Sequence, residues 1–222
     1  MRFRGLPAAV LAAANDREGG AMEVAATALD GLLEVATDPD LLESAVAALV
    51  AGQPAMAPVW HLARAARSPD PPSALAALRR RLDTDADAAV TTATAWLREH
   101  LAANPGALAT VSHSSLVNRV LARLGPAQVR GPGAVVGVVG ADAIGPGVLL
   151  NAVGTRELAA QLPTLVVATG VKLVPGEVFG RLGGPGFEVV PLAAVAAVVV
   201  GGELLSPAEA GRRAEGVSRG RP

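Results

Sequence analysis

The sequence predicts an α/β protein, with an N-terminal helical lobe followed by a parallel sheet that helices cover on both faces. Apolar residues recur at helical intervals through the first hundred of 222 residues. Beyond Asn104-Pro105-Gly106, short apolar runs rich in valine alternate with helix-like segments, which is typical of a buried parallel sheet. We therefore expect a helical domain over residues 1–104, an α/β domain over 105–215 and a flexible tail over 216–222.

Composition limits the class of protein. The chain contains no cysteine, which excludes disulfides and thiolate metal sites, and makes a cytoplasmic protein the default expectation. A net charge of -1 without a dense basic block argues against a nucleic-acid partner. No apolar stretch reaches the length of about 18 residues that a membrane span needs. The opening MRFRGLPAAVLAAAN mimics a secretory signal, an alternative that Pro7 weakens.

Local sequence patterns predict the helices of the N-terminal lobe. Asp38 can cap a helix that has Pro39 at its first position. Further helices fit residues 19–35 and 55–67. The run SPDPPS at 68–73 is expected to be a loop, because proline lacks the amide hydrogen. After it, apolar residues from 75 to 101 mark one long helix or two.

The second lobe alternates strand and helix signals. The predicted strands cover residues 107–112, 134–140 and 164–169 and the long run 187–202. The predicted helices cover residues 114–124, 151–162 and 206–213. The last of these begins with a capping box in which Ser206 and Glu209 satisfy each other's backbone amides.

Polar residues follow three of the predicted strands. They are Ser112-His113-Ser114, Asp142 and Thr169-Gly170-Val171-Lys172. Ligands bind beyond the carboxyl ends of parallel strands, so these residues are candidates for one site. For Ser114 the alternative is an ordinary helix cap. Lys172 is the only lysine among 19 residues that are Lys or Arg, which suits a phosphate contact. Retention of one lysine by chance explains the observation nearly as well.

Other sites have weaker signals. The glycine-rich stretches lack the spacing of dinucleotide or Walker phosphate loops, and no metal-ligand spacing occurs. His113 between two serines invites a serine hydrolase reading, but adjacent side chains point apart and no third group is identifiable. We therefore expect no cofactor.

Several stretches resemble one known family. It is the family of translation initiation factor 2B regulatory subunits and aldose-phosphate isomerases, such as methylthioribose-1-phosphate isomerase and ribose-1,5-bisphosphate isomerase. The N-terminal stretches DREGGAMEVAATAL and GQPAMAPVWHLARA resemble its helical domain. The C-terminal stretches that carry the resemblance are TVSHSSLVNRVL, VVGADAIGPGVLLNAVGTRELAAQL, VVATGVKLVP, FEVVPLAAV and GGELLSPAEAG.

The resemblance implies a helical lobe, a Rossmann-like second domain and a homodimer. Its isomerases convert an aldose 1-phosphate to a ketose phosphate with a cysteine and an aspartate, and Asp142 matches that aspartate. Asn151 and Lys172 match residues that hold the phosphate or hydroxyl groups of the substrate, and Arg17 with Gly19-Gly20 matches an N-terminal substrate loop. The candidate substrate-binding residues are therefore Ser114, Asn151, Gly154, Thr155, Lys172 and Arg17.

The chain also departs from the family. Ser114 stands where the isomerases have their cysteine, and an alcohol is a far poorer proton donor than a thiol of pKa about 8.5. Ala152 replaces an expected lysine, and Gln53 an expected arginine. Residues 125–133 replace two strand-helix units, which would leave the first strand at the edge of a smaller sheet and remove one wall of the crevice.

Three functional interpretations follow. The first is a degenerate family member that binds a phosphorylated sugar or nucleotide without isomerising it. The second is a minimal sugar-phosphate isomerase that uses Asp142 with another acid. The third is a non-catalytic regulatory subunit that acts through protein contacts.

Overall fold

The computed structural model describes residues 5–54, 56–111, 114–125 and 133–217. The α-helices are α1 (Ala8–Asn15), α2 (Ala21–Glu34), α3 (Pro39–Gly52), α4 (Ala57–Ala66), α5 (Pro71–Ala103), α6 (Ser115–Leu124), α7 (Thr155–Gln161), α8 (Gly176–Phe179) and α9 (Pro207–Gly216). The strands are β1 (Ala107–Ala109), β2 (Ala134–Val139), β3 (Ala143–Gly145), β4 (Val148–Ala152), β5 (Thr164–Ala168), β6 (Phe187–Pro191), β7 (Ala197–Val200) and β8 (Glu203–Leu205).

The chain divides into two compact units between Asp83 and Thr84, inside α5. In the first unit α1 packs against α2 and α3, and Val10 is fully buried. Gly31 permits this packing, because a Cβ there would lie 2.7 Å from a methyl group of Val10. Residues 8–15 of the segment that mimics a secretory signal therefore form a helix that packs inside the helical unit.

The starts of α3 and α5 illustrate how proline acts in a first helical turn. The side chain of Asp38 accepts a hydrogen bond from the Leu41 amide, which confirms the predicted cap of α3. The loop predicted for residues 68–73 is wrong in its second half, because α5 already begins at Pro71. A proline in the first turn loses no hydrogen bond, and Asp70 accepts from the Ser73 amide instead.

The apolar residues from 75 to 101 belong to one helix, α5, of 33 residues. Its C-terminal part packs with the second unit, where Ala93 and Leu97 are fully buried. The pattern ends at Asn104, as the sequence predicts.

The second unit is built on a five-stranded sheet of order β1-β2-β5-β7-β8. The first four strands are parallel, and β8 pairs antiparallel with β7. The α/β class is confirmed, and β1 lies at the edge of the described sheet, as expected. The order of the parallel strands runs in one direction, and among the described strands none pairs with the outer side of β1.

Alternate residues of the parallel strands point to two apolar layers. One layer contains the α5 and α6 side chains together with Val136, Val138, Leu165, Val167 and Val199. The other contains Val139, Val166, Val198 and Val200 together with Ile144, Leu149 and Leu192. Since both faces are buried, the strands read as continuous valine runs.

A second sheet, of order β3-β4-β6, was not expected. Its strands are antiparallel, and β3 and β4 form a hairpin around Gly147, whose φ is +73°. The helix predicted from Asn151 therefore starts only at Thr155. The single run predicted for 187–202 is also wrong, because a short 3-10 turn at Leu192–Ala194 separates β6 and β7 into different sheets.

The remaining predictions concern the ends of elements. The capping box of α9 is confirmed, since Ser206 Oγ accepts from the Glu209 amide and a Glu209 carboxylate oxygen accepts from the Ser206 amide. The dipeptide Ser112-His113 and most of the predicted tail, residues 218–222, lie outside the described residues. Within the described ranges, no helix is both long and apolar enough to cross a bilayer.

Candidate functional site

The β3-β4 hairpin brings Asp142 beside Asn151. Asp142 precedes β3, and its amide donates a 2.8 Å hydrogen bond to the carbonyl of Leu150 on β4. Asn151 follows Leu150 directly and is only 4% exposed. Two predicted site residues that are nine positions apart in sequence therefore meet at the open end of one hairpin.

Asn151 is oriented by Thr155. Its Nδ2 donates to Thr155 Oγ1 at 3.0 Å, and that hydroxyl donates to the carbonyl of Ala152 at 2.7 Å. Thr155 is fully buried, and Gly154 before it has a φ of +99°, which favours glycine. Thr155 and Gly154 thus form the turn that holds the Asn151 amide, and their contact with a ligand stays a prediction.

Lys172 reaches the same hairpin from β5. It ends a 3-10 turn, Gly170–Lys172, that follows the strand. Directly after it, Val174 donates a 2.9 Å hydrogen bond to Ile144 on β3, and Leu173 forms a parallel bridge with the same residue. Because Ile144 is two residues from Asp142, this pairing places Lys172 next to the start of the hairpin.

Asp142 and Lys172 interact electrostatically. Burial raises the pKa of Asp142, and the positive charge of Lys172 offsets part of that rise. Burial likewise lowers the pKa of Lys172, and the negative charge of Asp142 opposes this. Desolvation dominates in both residues, so each charged form is costly without a further partner.

The Lys172 ammonium is a candidate contact for an anion. The side chain is 4% exposed, and the described residue whose charge acts on its pKa is Asp142. An ammonium carries three hydrogen-bond donors, and each of them needs an acceptor. The arrangement suits an anionic or hydroxyl-rich ligand, whose oxygens would supply those acceptors.

Ser114 lies at a neighbouring strand end. It follows β1, which pairs with β2, and it occupies the N-cap position of α6. Its side chain makes no capping hydrogen bond to α6, whereas its carbonyl accepts from the Asn118 amide at 2.9 Å. The cap interpretation thus describes its backbone, and a ligand role of its hydroxyl stays a prediction.

Arg17 lies in the first unit, at the end of α1. Its guanidinium donates to the carbonyls of Ala14 and Gly52, at 3.2 and 2.9 Å. Gln53, which stands where the family resemblance implies an arginine, donates to Asp16 O at 2.6 Å and to Ala13 O at 2.9 Å. Both side chains close the ends of α1 and α3, and a ligand role for Arg17 stays a prediction.

Two carboxylates near these loops were missed by the sequence reasoning. Asp85 on α5 accepts a 3.0 Å hydrogen bond from the Gly170 amide, at the start of the turn that carries Lys172. Glu188 on β6 accepts from the Arg156 amide at 2.9 Å, in the first turn of α7. No local motif marks either residue, because both act on segments far away in sequence.

In the described part of the chain, no cluster of three or more His, Asp or Glu side chains could hold a metal ion.

Fold and site together define an α/β protein with a helical N-terminal unit and a carboxylate-lysine pair at the carboxyl ends of its parallel strands. No family model and no curated protein matches the chain. Solved structures do. Translation initiation factor eIF-2B of Pyrococcus horikoshii OT3 aligns with a TM-score of 0.68 at 18% identity, covering 92% of this chain and 99% of that chain.

Two further structures show the same architecture. The tetrameric eIF2B-beta2-delta2 complex from C. thermophilum aligns with a TM-score of 0.66 at 16% identity, over 92% of this chain and 91% of that chain. The 5-methylthioribose 1-phosphate isomerase of P. horikoshii OT3 aligns with a TM-score of 0.57 at 14% identity, over 95% and 87%. The chain therefore has the fold of eIF2B subunits and of this isomerase, and the resemblance of its motifs is confirmed at the level of the fold.

Proposed function

We propose that this protein binds a phosphorylated sugar or nucleotide at the rim formed by Asp142, Asn151 and Lys172, without isomerising it. The observation that carries this proposal is the buried side chain of Lys172, whose charged form is opposed by burial and favoured by one described carboxylate, that of Asp142. A phosphate ester supplies further negative charge and acceptor oxygens for this ammonium.

Protonation of the pair favours the same class of ligand. Because burial raises the pKa of Asp142, its carboxyl takes up a proton more readily than an exposed carboxyl would. A bound phosphate group increases that tendency, since like charges repel. A protonated carboxyl can donate a hydrogen bond to the ligand, and the phosphate charge then replaces that of Asp142 in favouring the ammonium form of Lys172.

Three departures from the family pattern argue against isomerisation. By resemblance, the family's reaction uses a cysteine where this chain has Ser114, and a hydroxyl gives up its proton far less readily. The lysine that the resemblance implies after Asn151 is Ala152 here. Gln53 in place of the implied arginine uses its amide to close α1 and α3. The chain thus lacks one acid and two cations of the family pattern.

A second candidate function is a sugar-phosphate isomerase that relies on Asp142. It is favoured by the raised pKa of this carboxyl, which a general acid near neutral pH requires. Conversion of ribose 1,5-bisphosphate or methylthioribose 1-phosphate to a ketose, abolished in Asp142→Asn, would establish it. Turnover that survives Asp142→Asn would contradict this role.

A third candidate is a regulatory subunit that self-associates in the cytoplasm, expected as a homodimer. The edge strand β6 favours it, because Phe187 and Val189 are 41% and 43% exposed. One of the structurally similar proteins is a subunit of a tetrameric complex. Sedimentation at several concentrations tests this proposal, and a monomer at every concentration would contradict it.

Thermal shift measurements test the ligand proposal directly. Ribose 5-phosphate, AMP and inorganic phosphate are added to the wild type, to Lys172→Met and to Arg181→Met. The Arg181 variant is a matched control, because it removes one positive charge from an exposed residue of the same unit. A ligand at a hundred times its Kd stabilises by about 2.7 kcal/mol. We expect stabilisation of the wild type and of Arg181→Met, but not of Lys172→Met.

The contradicting outcomes are equally specific. If none of the phosphorylated compounds shifts the wild-type Tm, the proposal is wrong. Equal shifts in the wild type and Lys172→Met would place the ligand elsewhere.

A further inference from the structure

We infer that Asp85 is a positioning residue for Lys172, and that it acts through the backbone turn between β5 and the lysine. The carboxylate lies on α5, 87 positions before the lysine in the sequence. No family motif in the sequence points to it. The inference deepens the proposed function, because it names a residue that prepares the cation of the same site.

The first contact lies at the start of the turn. Asp85 Oδ2 accepts a 3.0 Å hydrogen bond from the amide of Gly170, the first residue of the 3-10 turn Gly170–Lys172. A hydrogen bond to an ionised acceptor is stronger than a neutral one. Lys172 follows two residues later, and its own amide donates to Thr169 at 3.0 Å. The carboxylate therefore holds Gly170, the residue at which the turn that carries Lys172 begins.

The other end of the turn is held by β3. Val174 donates to Ile144 at 2.9 Å and Leu173 bridges to the same residue. The segment from Gly170 to Val174 is thus tied to α5 at its start and to the Asp142 hairpin at its end. If the contact at the start is lost, the turn loses its hydrogen bond to α5.

The carboxylate of Asp85 also lies beside the segment that follows β7. A Cβ added at Gly201 in that segment would be 3.0 to 3.2 Å from the three carboxyl atoms. The Gly201 amide donates to the carbonyl of Ala168 at the end of β5. The carboxylate therefore lies near the ends of two neighbouring parallel strands, and the glycine at position 201 leaves it room.

The same helix offers a matched control. Two helical turns after Asp85, the hydroxyl of Thr92 donates a 2.7 Å hydrogen bond to the carbonyl of Gly202. This bond also joins α5 to the loop after β7, but it does not touch the turn that carries Lys172. A variant at Thr92 thus loses a comparable anchor of the helix without loosening the lysine.

The chain provides a direct readout of the inference. Lys172 is its only lysine, so protein labelled with ¹³C,¹⁵N-lysine gives one side-chain resonance, which reports the Lys172 pKa. Burial lowers that pKa, and the charge of Asp142 opposes the shift. The carboxylate of Asp85 faces the start of the same turn. Freeing the turn lets the ammonium reach water, which returns its pKa towards the ordinary lysine value.

The experiment compares the wild type with Asp85→Ala, Asp85→Asn and Thr92→Val. We expect a higher Lys172 titration midpoint in Asp85→Ala and an unchanged midpoint in Thr92→Val. Asp85→Asn keeps an acceptor oxygen for the Gly170 amide, so it should lie close to the wild type. The loss of affinity for ribose 5-phosphate should follow the same order, at roughly tenfold for Asp85→Ala, the size of one lost charge-assisted hydrogen bond.

Every outcome decides. If the midpoint in Asp85→Ala equals that of the wild type, Asp85 does not position Lys172. If the midpoint shifts equally in Thr92→Val, the cause is a general loosening of α5 and not the contact of Asp85 with the turn. That result would also overturn the inference. If Asp85→Ala does not fold, Gly201→Ala decides instead, because its added methyl presses on the carboxylate without removing it, and Gly202→Ala, which also has a positive φ, controls for backbone strain. Gly201→Ala should raise the midpoint too, and an unchanged midpoint there overturns the inference.

The two proposals fail separately. The titration of Lys172 needs no ligand, so it can support the role of Asp85 even if ribose 5-phosphate, AMP and phosphate all fail to bind. If ribose 5-phosphate binds, but the Lys172 titration midpoint is the same in Asp85→Ala and in the wild type, the proposed function stands and Asp85 has no positioning role in it.

Discussion

Asp142 and Lys172 follow two neighbouring parallel strands and lie close enough for each charge to shift the pKa of the other residue. Each shift caused by the partner is smaller than the opposite shift caused by burial. The pair is therefore only partly self-compensating. A buried pair of this kind costs stability when it is charged, and a ligand anion can recover part of that cost.

The pH dependence of stability should reveal the state of Asp142. Its folded pKa is raised by burial, so its stabilising contribution is present at low pH and declines as pH rises from the unfolded carboxyl pKa through the folded one. In Asp142→Asn this decline is absent. Urea denaturation from acid to neutral pH should show the wild type losing stability relative to the variant. Parallel curves would show that burial does not perturb this carboxyl.

Lys172 should not be replaceable by arginine, although arginine dominates the basic residues of the chain. The position is 4% exposed, and a guanidinium is larger and planar. We expect Lys172→Arg to destabilise the fold by about 1–3 kcal/mol through overpacking and to lose ligand binding. Denaturation and thermal shift measure the two effects. If Lys172→Arg keeps the wild-type free energy of unfolding and the wild-type ligand-induced thermal shift, the residues around Lys172 are not tightly packed.

Thr155→Val should destabilise the protein although it preserves the shape of the side chain. The hydroxyl accepts from Asn151 and donates to Ala152, and the residue is fully buried. Its removal leaves an amide and a carbonyl without partners, at a cost of about 1–3 kcal/mol. Thr37→Val, at an exposed position, is the control and should stay within about 0.5 kcal/mol of the wild type. Equal stabilities of the two variants would refute the network.

Gly31→Ala tests the packing of the first unit. A Cβ at Gly31 would lie 2.7 Å from Val10 Cγ2 and 2.8 Å from its backbone nitrogen, so α1 must move away from α2. We expect a net loss of about 1–3 kcal/mol, although alanine normally favours a helix. Gly216→Ala has open space around its Cβ and serves as the control. Denaturation of both variants decides, and a stabilised Gly31→Ala would disprove the close contact.

Gln53→Ala should weaken the same unit for a different reason. The amide of Gln53 is 6% exposed and donates to the carbonyls of Ala13 and Asp16. Without it both carbonyls lose a donor, which costs about 1–3 kcal/mol. Since this amide has a structural role, ligand binding by the folded variant should remain unchanged. A selective loss of binding at wild-type stability would instead assign Gln53 to the site.

Local sequence signals predicted the α/β class, most helices and the strand ends that carry Asp142 and Lys172. They succeeded because valine runs buried on two faces, proline and aspartate at helix starts, and the Ser206-Glu209 capping box each act over a few residues. The same signals failed at Pro71, where a proline-rich run begins a helix instead of extending a loop.

Other features were decided only in the tertiary structure. The β3-β4 hairpin places Asn151 beside Asp142, and the partner strand β6 begins 35 residues after β4 ends, so no local pattern reveals the pairing. Asp85 lies 85 residues before the amide that it holds, inside a helix whose periodicity is ordinary. The sequence thus determined which polar residues end the strands. Packing between distant segments determined which of them meet, because burial, pairing register and the pKa shifts they cause depend on neighbours that the local chain does not contain.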